Sequence, residues 1–120
     1  MKSFSDRGID TNGDGLFDLI VISPAIRVLE AGEYFIKVTL KASNGESFFQ
    51  NTRVKLPIGN VSPEIEFDTQ DIKEYLKVDA PYQVSEVFLE GDAYALKDRV
   101  INLGKTKAYK IAQFHREAIL

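Results

Sequence analysis

The sequence predicts an all-β domain, a two-sheet antiparallel β-sandwich of jelly-roll or immunoglobulin-like type. Three observations carry that expectation. Apolar residues recur mostly with the two-residue period of strands, turn residues interrupt them at short intervals, and no heptad, low-complexity run or internal duplication competes. Only one short stretch has helical spacing.

The elements follow in order. Leu19 to Ser23 forms a strand, and Ile26 and Val28 continue it past a break at Pro24, because proline cannot donate to a ladder. Gly32 turns the chain. Tyr34 to Ala42 alternates cleanly, and Asn44-Gly45 then gives a two-residue hairpin signal before Glu46 to Leu56 runs back. Pro57, Gly59, Asn60 and Pro63 make a loop, and Glu64-Ile65-Glu66-Phe67 begins another strand. From Asp68 to Tyr75, with Asp68 or Thr69 as N-cap and Ile72, Tyr75 and Leu76 at helical spacing, one or two helical turns are expected. Pro81 to Glu90 is a strand with a bulge at Ser85-Glu86, where the alternation slips. Gly91 to Lys107 reads as irregular, and Ala108 to Phe114 as the closing strand.

With 120 residues, 44% hydrophobic and 28% charged, the chain makes one compact domain with its own core. It divides into an N-terminal segment with a polar loop (1–18), the sandwich (19–114) and a tail (115–120). A formal net charge of -3, from 15 basic and 18 acidic residues, leaves no excess of positive charge for a phosphate backbone, so nucleic acid is excluded as a partner. No apolar stretch has the length of a bilayer span, and Met1-Lys2-Ser3-Phe4 lacks the apolar core of a secretory signal; a soluble chain without membrane insertion is expected. A fragment of a longer secreted protein would begin the same way. Cysteine is absent, which removes disulfides, thiolate nucleophiles and sulfur-ligated metals.

One stretch departs from ordinary strand-and-turn chemistry. Asp10-Thr11-Asn12-Gly13-Asp14-Gly15-Leu16-Phe17-Asp18 leads straight into the first apolar run. Counting Asp10 as position one, oxygen-bearing side chains stand at one, three, five and nine (Asp10, Asn12, Asp14, Asp18), with Gly15 at six and the Leu16 carbonyl at seven. This is the ligand spacing of a calcium loop, in which alternating oxygens curl round a hard cation and the glycine makes the sharp turn. Three carboxylates this close repel one another, and a divalent cation relieves that repulsion, so the loop is expected to order with Ca²⁺. Position twelve, a bidentate Glu in the helix-loop-helix calcium hand, falls on Val21, so an oxygen is missing. It comes from water or from elsewhere in the fold; Asp6 is the nearest acidic candidate and Asp79 a long-range one. Magnesium is the rival ion, but it demands a tight octahedron and keeps its waters. Asp, Asn and Gly are also plain turn formers, yet the agreement of ligand and glycine spacing within one loop favours metal.

Gly8 to Leu19, Ala31-Gly32-Glu33-Tyr34, Asn44-Gly45, Val78 to Val84 and Thr106-Lys107-Ala108-Tyr109 together resemble the calcium-loop β-sandwich modules of secreted and cell-surface proteins of bacteria and archaea, such as those appended to subtilisin-like proteases or von Willebrand-type surface proteins. Ala80 stands where such modules usually show Gly. The loop is also similar to dockerin and thrombospondin type 3 repeats, but those come in tandem and this chain has one copy. The resemblance implies a non-catalytic accessory module, outside the cell or at its surface, stabilised by calcium and attached to neighbouring domains.

The remaining constellations read blandly. His115, the single histidine, sits near the chain end and has neither a nucleophile nor an orienting partner arguable from sequence, so no enzyme is expected. The pairs Glu64 with Glu66 and Glu86 with Glu90 alternate with apolar residues, as on half-solvated strands. Phe48, Phe49, Tyr75, Tyr82, Tyr94 and Tyr109 are mostly core, with adjacent Phe48 and Phe49 on opposite faces. Lys97, Arg99, Lys105, Lys107 and Lys110 form a solvated basic surface or a contact with a neighbouring domain. The alternative function is a module that binds carbohydrate or a surface protein, with calcium only structural.

Overall fold

The computed structural model describes residues 3–91 and 97–114, Lys97 by its backbone alone. The described chain is mostly β, in antiparallel sheets, as the apolar alternation predicts. In order the elements are β1 (Phe4–Ile9), β2 (Leu19–Pro24), β3 (Ile26–Val28), β4 (Gly32–Lys41), β5 (Ser47–Leu56), β6 (Gly59–Val61), β7 (Ile65–Asp68), α1 (Thr69–Tyr75), β8 (Gln83–Gly91), β9 (Lys97–Lys105) and a 3-10 turn (Ile111–Gln113). No helix among the described residues is long and apolar enough to cross a membrane.

The largest sheet has the order β5-β4-β8-β9, and a second has the order β1-β2-β7. A two-stranded ladder, β3 with β6, extends the second sheet past Pro24: Ile22 faces Ile65 and Ile26 faces Val61, so the same register runs on across the break. Proline therefore interrupts the hydrogen bonding of this ribbon without shifting its alignment. Inward residues of both sheets, among them Ile20, Ile22, Ile65 and Phe67 on one and Ile36, Val38, Leu40, Val84 and Val87 on the other, belong to a single hydrophobic cluster. Burying apolar surface at about 25 cal/mol per Å² is the main force holding the sheets.

Several local features follow the sequence closely. Asp68 caps α1 by accepting the Gln70 N–H at 2.8 Å, and Ile72 and Leu76 are fully buried, whereas Tyr75 stays half-exposed. In β8 the register slips at Ser85, since Thr39 faces Glu86 while Leu40 faces Val84. The extra residue lets both Val84 and Val87 point inward. The β4–β5 turn differs in detail: Gly45 N–H donates to Ala42 C=O at 3.0 Å and Ala42 N–H to Glu46 C=O at 2.8 Å. Gly45, at φ 89°, closes a three-residue turn rather than the expected two-residue one.

Three expectations need correction. The stretch read as irregular contains β9, which pairs with β8 from Gln83↔Lys105 to Glu90↔Lys97. The closing segment Ala108 to Phe114 is not a strand but a strap. Its groups bond to scattered partners, with the Ala80 N–H donating to Tyr109 C=O at 2.8 Å and Ile111 N–H to Asp79 Oδ1 at 2.8 Å, so no ladder forms. A further strand, β1, lies within the N-terminal segment, where no strand was expected.

Candidate metal centre

The loop Asp10–Asp18 connects β1 to β2, whose last facing pair is Ile9↔Leu19, and Asp18 N–H donates to Ile9 C=O at 2.7 Å. It is the connection of a hairpin. Within it, side-chain oxygens collect hydrogen-bond donors from the loop itself. Asp10 accepts Gly13 N–H at 2.9 Å and Gly15 N–H at 2.8 Å; Asp14 accepts Leu16 N–H at 2.9 Å; Asp18 accepts both the N–H and the hydroxyl of Thr11, at 2.7 and 2.9 Å. Gly13 and Gly15 hold φ of 75° and 81°, the left-handed conformation that aims successive N–H groups inward. A Cβ at either would meet nothing within 4 Å, so the backbone angle and not crowding selects glycine there.

These bonds bring Asp10, Asp14 and Asp18 together, each offering a carboxylate oxygen within 4.8 Å of the others. The Gly15 N–H does most to hold the Asp10 carboxyl below its usual range; desolvation opposes it, and the N–H groups of Gly13, Asn12 and Asp14 add to it. Two oxygens bound to one ion at about 2.4 Å lie no more than about 4.8 Å apart, and the three carboxylates meet that necessary condition. Asn12, whose amide oxygen takes the Asp14 N–H at 3.3 Å, stands between them in the chain. Oxygen donors alone, with no sulfur or imidazole, suit a hard divalent cation.

The base of the loop is fixed by parts of the chain remote in sequence. Thr69, at the start of α1, donates its N–H to Asp18 C=O at 3.1 Å and its hydroxyl to Phe17 C=O at 2.9 Å. Phe17 N–H donates to Gln113 C=O at 2.7 Å, and Phe17 bridges in parallel to the fully buried Phe114. The Phe17 ring covers Gly8, where a Cβ would sit 2.7 Å from it, and meets Tyr109 edge-on at 5.9 Å. Gly8 is thus required by close approach, and any larger residue would push Phe17 off the strap.

Asp6 and Asp79, the two more distant candidates, do not join this cluster. Asp6 is buried on β1, where Oδ2 accepts the Tyr109 hydroxyl at 2.7 Å and the Lys107 N–H at 3.1 Å. Burial and this bond to Asp6 push the Tyr109 phenol well above its usual value. Asp79 accepts the Ile111 N–H. Tyr82, buried and near Asp79, is likewise raised, by burial first and by that charge second. Both acids therefore hold the strap. Leu16 presents its N–H to Asp14. Of the other singled-out groups, Glu64 is ion-paired with Arg7 at 2.6 Å, and Glu86 with Lys37 at 3.0 Å and Arg99 at 2.6 Å. His115 and Tyr94 lie outside the described residues. Sequence reasoning missed the strap, although the apolar Tyr109, Ile111 and Phe114 were visible as a signal of burial.

Comparison of the chain with protein-family models, with curated proteins and with solved structures gave no match.

Proposed function

We propose that this chain is a non-catalytic, calcium-binding stabilising module of an extracellular multidomain protein, built as a two-layer β-sandwich with the ion held in the β1–β2 loop. One observation carries the reading: Asp10, Asp14 and Asp18 converge to within 4.8 Å on a hairpin connection that chain reversal alone does not require. The single cluster fed by both sheets supports the sandwich. Calcium is preferred to magnesium because a loop of several carboxylates with a backbone carbonyl suits an ion that takes six to eight oxygens, whereas magnesium demands a near-ideal octahedron and keeps its waters. The carboxylates, the Asn12 amide and the Leu16 carbonyl would hold the ion, with water completing the shell.

The ion's contribution is electrostatic and mechanical. It relieves the repulsion of the three carboxylates and fixes the loop, whose last residues carry α1 and the strap through Thr69, Gln113 and Phe114. Binding only to the folded chain lowers its free energy by RT ln(1 + [Ca²⁺]/Kd), about 2.7 kcal/mol at a hundredfold excess. Outside a cell, millimolar calcium saturates even a weak site, which suits an extracellular module joined to neighbouring domains.

The test is a thermal melt in excess EDTA, in CaCl₂ and in MgCl₂. Calcium at a hundredfold excess over Kd raises Tm by on the order of 10 °C, more than magnesium does, and Asp14→Ala loses most of that rise. Equal melting in EDTA and calcium would reduce the loop to a polar turn.

A further inference from the structure

The outer face of the four-stranded sheet carries a second feature, independent of the metal loop. Strand register places its outward residues in rows. One row is Asn51 on β5, Lys37 on β4, Phe88 on β8 and Arg99 on β9; the row on one side contains Arg53, Phe35 and Glu90, and the row on the other Phe49, Thr39 and Glu86. Three phenylalanines thus stand on the side turned away from the core. Phe49 is 53% exposed, and Phe35 meets Phe88 edge-on at 6.4 Å. Outward sheet positions are ordinarily filled by polar or charged residues, and aromatic rings kept there mark a surface built for contact.

The cations are arranged on the rings. Lys37 Nζ lies 5.2 Å from the centre of the Phe49 ring, and the Arg53 guanidinium 5.8 Å from that of Phe35. Glu86 ties Lys37 to Arg99 through two ion pairs, at 3.0 and 2.6 Å, so positive groups are fixed above an apolar floor. Lys37 and Arg99 also hold the Glu86 carboxyl below its usual range, the hydrogen bond from Lys37 being the largest cause. Between these residues lies a shallow hollow of about 470 Å³, and a smaller one of about 240 Å³, bordered by Arg53 and Glu90, shares Phe35 with it. The two form a track across the strands.

We propose that this track binds an acidic oligosaccharide, with the C–H faces of its sugars on Phe49, Phe35 and Phe88 and its uronate carboxylates on Arg99, Lys37 and Arg53. Charge complementarity favours a negative ligand, since among the described residues of this face three cations, Lys37, Arg53 and Arg99, stand against two carboxylates, Glu86 and Glu90. The carboxylates then select a sugar. Glu86 and Glu90 accept hydrogen bonds but donate none, so they serve a ligand that carries hydroxyl donors as well as negative charge. A nucleic-acid backbone offers phosphates with no donor and meets only repulsion at these two positions. An amphipathic helix needs a continuous apolar groove, which the interleaved charges break. An acidic peptide lacks the rigid C–H face that each sugar presents to a ring.

Isothermal titration of the chain in calcium-free buffer, because uronates themselves chelate Ca²⁺, with short hyaluronan, alginate and galacturonate oligosaccharides tests this, with maltooligosaccharide, poly-L-glutamate and oligo(dT) as controls. At least one uronate oligosaccharide binds, in a salt-dependent manner, and the neutral sugar does not. Phe49→Ala weakens that binding about tenfold while lowering Tm by no more than a few degrees, so the chain stays folded at the titration temperature. Arg99→Gln, a second exposed substitution, weakens it and flattens the salt dependence. The proposal is overturned if none of the three uronate sugars binds, if both variants bind as the parent does, or if poly-L-glutamate or oligo(dT) binds as well as the sugar. None of these results alters the calcium melt, so the two readings fail separately.

Discussion

Asn12-Gly13 and Asn44-Gly45 both lie in connections between neighbouring antiparallel strands, yet the second reverses the chain in three residues and the first runs from Asp10 to Asp18. Both use a left-handed glycine and an Asx-type bond: Glu46 N–H to Asn44 Oδ1 at 3.0 Å in one, Asp14 N–H to Asn12 Oδ1 at 3.3 Å in the other. Turn chemistry is therefore shared. What differs is the surplus, since closing a loop of about three times the length costs roughly 1 kcal/mol more entropy and also gathers like charges. A chain needs a reason to keep such a connection. The short turn ends against α1, through Asn44 Nδ2 and the Leu76 carbonyl, while the long one is braced by α1 and by the strap.

The largest expected effect tests that bracing. Phe114→Ala empties a fully buried position beneath the loop and should cost about 3–5 kcal/mol in a urea melt. It should also weaken calcium binding, because Gln113 and Phe114 fix Phe17. Leu40→Ala, equally buried but next to the short turn, should cost a comparable 2–5 kcal/mol and leave calcium affinity unaltered. If Phe114→Ala binds calcium as tightly as the parent chain, the loop is autonomous and the contrast between the two connections loses its physical basis.

A matched pair of glycines sharpens the comparison. Gly15 and Gly45 have φ of 81° and 89°, and alanine at either position should cost about 1–2 kcal/mol when measured in EDTA. In saturating calcium the costs should diverge. Gly15→Ala twists the sixth position of the ligand sequence and loses part of the calcium increment as well, whereas Gly45→Ala costs the same in both buffers. Equal costs in calcium and EDTA at Gly15 would make the two turns equivalent.

How much of this was legible depended on how far apart in sequence the deciding contacts lie. The Asp68 cap, the Ser85 slip and the break at Pro24 are written in a few adjacent residues, and each stands where the pattern places it. The convergence of Asp10, Asp14 and Asp18 is local for the same reason. β1 was hidden because its inward position is Asp6, a charge made tolerable by the Tyr109 hydroxyl and the Lys107 N–H about a hundred residues away. β9 alternates poorly, with Asn102 at φ 54° and Gly104 at φ 155°, and its ladder is set by the bulged β8. The strap misled in the opposite sense. Tyr109, Ile111 and Phe114 look like strand residues, but Asp79, Ala80 and Phe17 take the hydrogen bonds a ladder would need.

The smallest effect separates the two asparagines. Asn44 donates to the Leu76 carbonyl at 2.9 Å and accepts the Glu46 N–H, so Asn44→Ala should cost about 1 kcal/mol, with or without calcium. The Asn12 side chain accepts the Asp14 N–H at a long 3.3 Å on an exposed loop, and Asn12→Ala, which keeps the backbone N–H, should fall in EDTA within about 0.5 kcal/mol of the parent. A ligand role for Asn12 predicts that calcium reverses the order. Removing the amide oxygen at position three takes away a ligand, so the Asn12→Ala melt in saturating calcium should drop below that of Asn44→Ala, provided the ion is held as the loop spacing implies. Because the same substitution is made at an Asn that precedes a left-handed Gly in both connections, side-chain entropy and helix or strand propensity largely cancel between the two variants. Only a ligand role for Asn12 leaves a calcium-dependent difference, and a pair of melts that keep their EDTA order in calcium would remove Asn12 from the site.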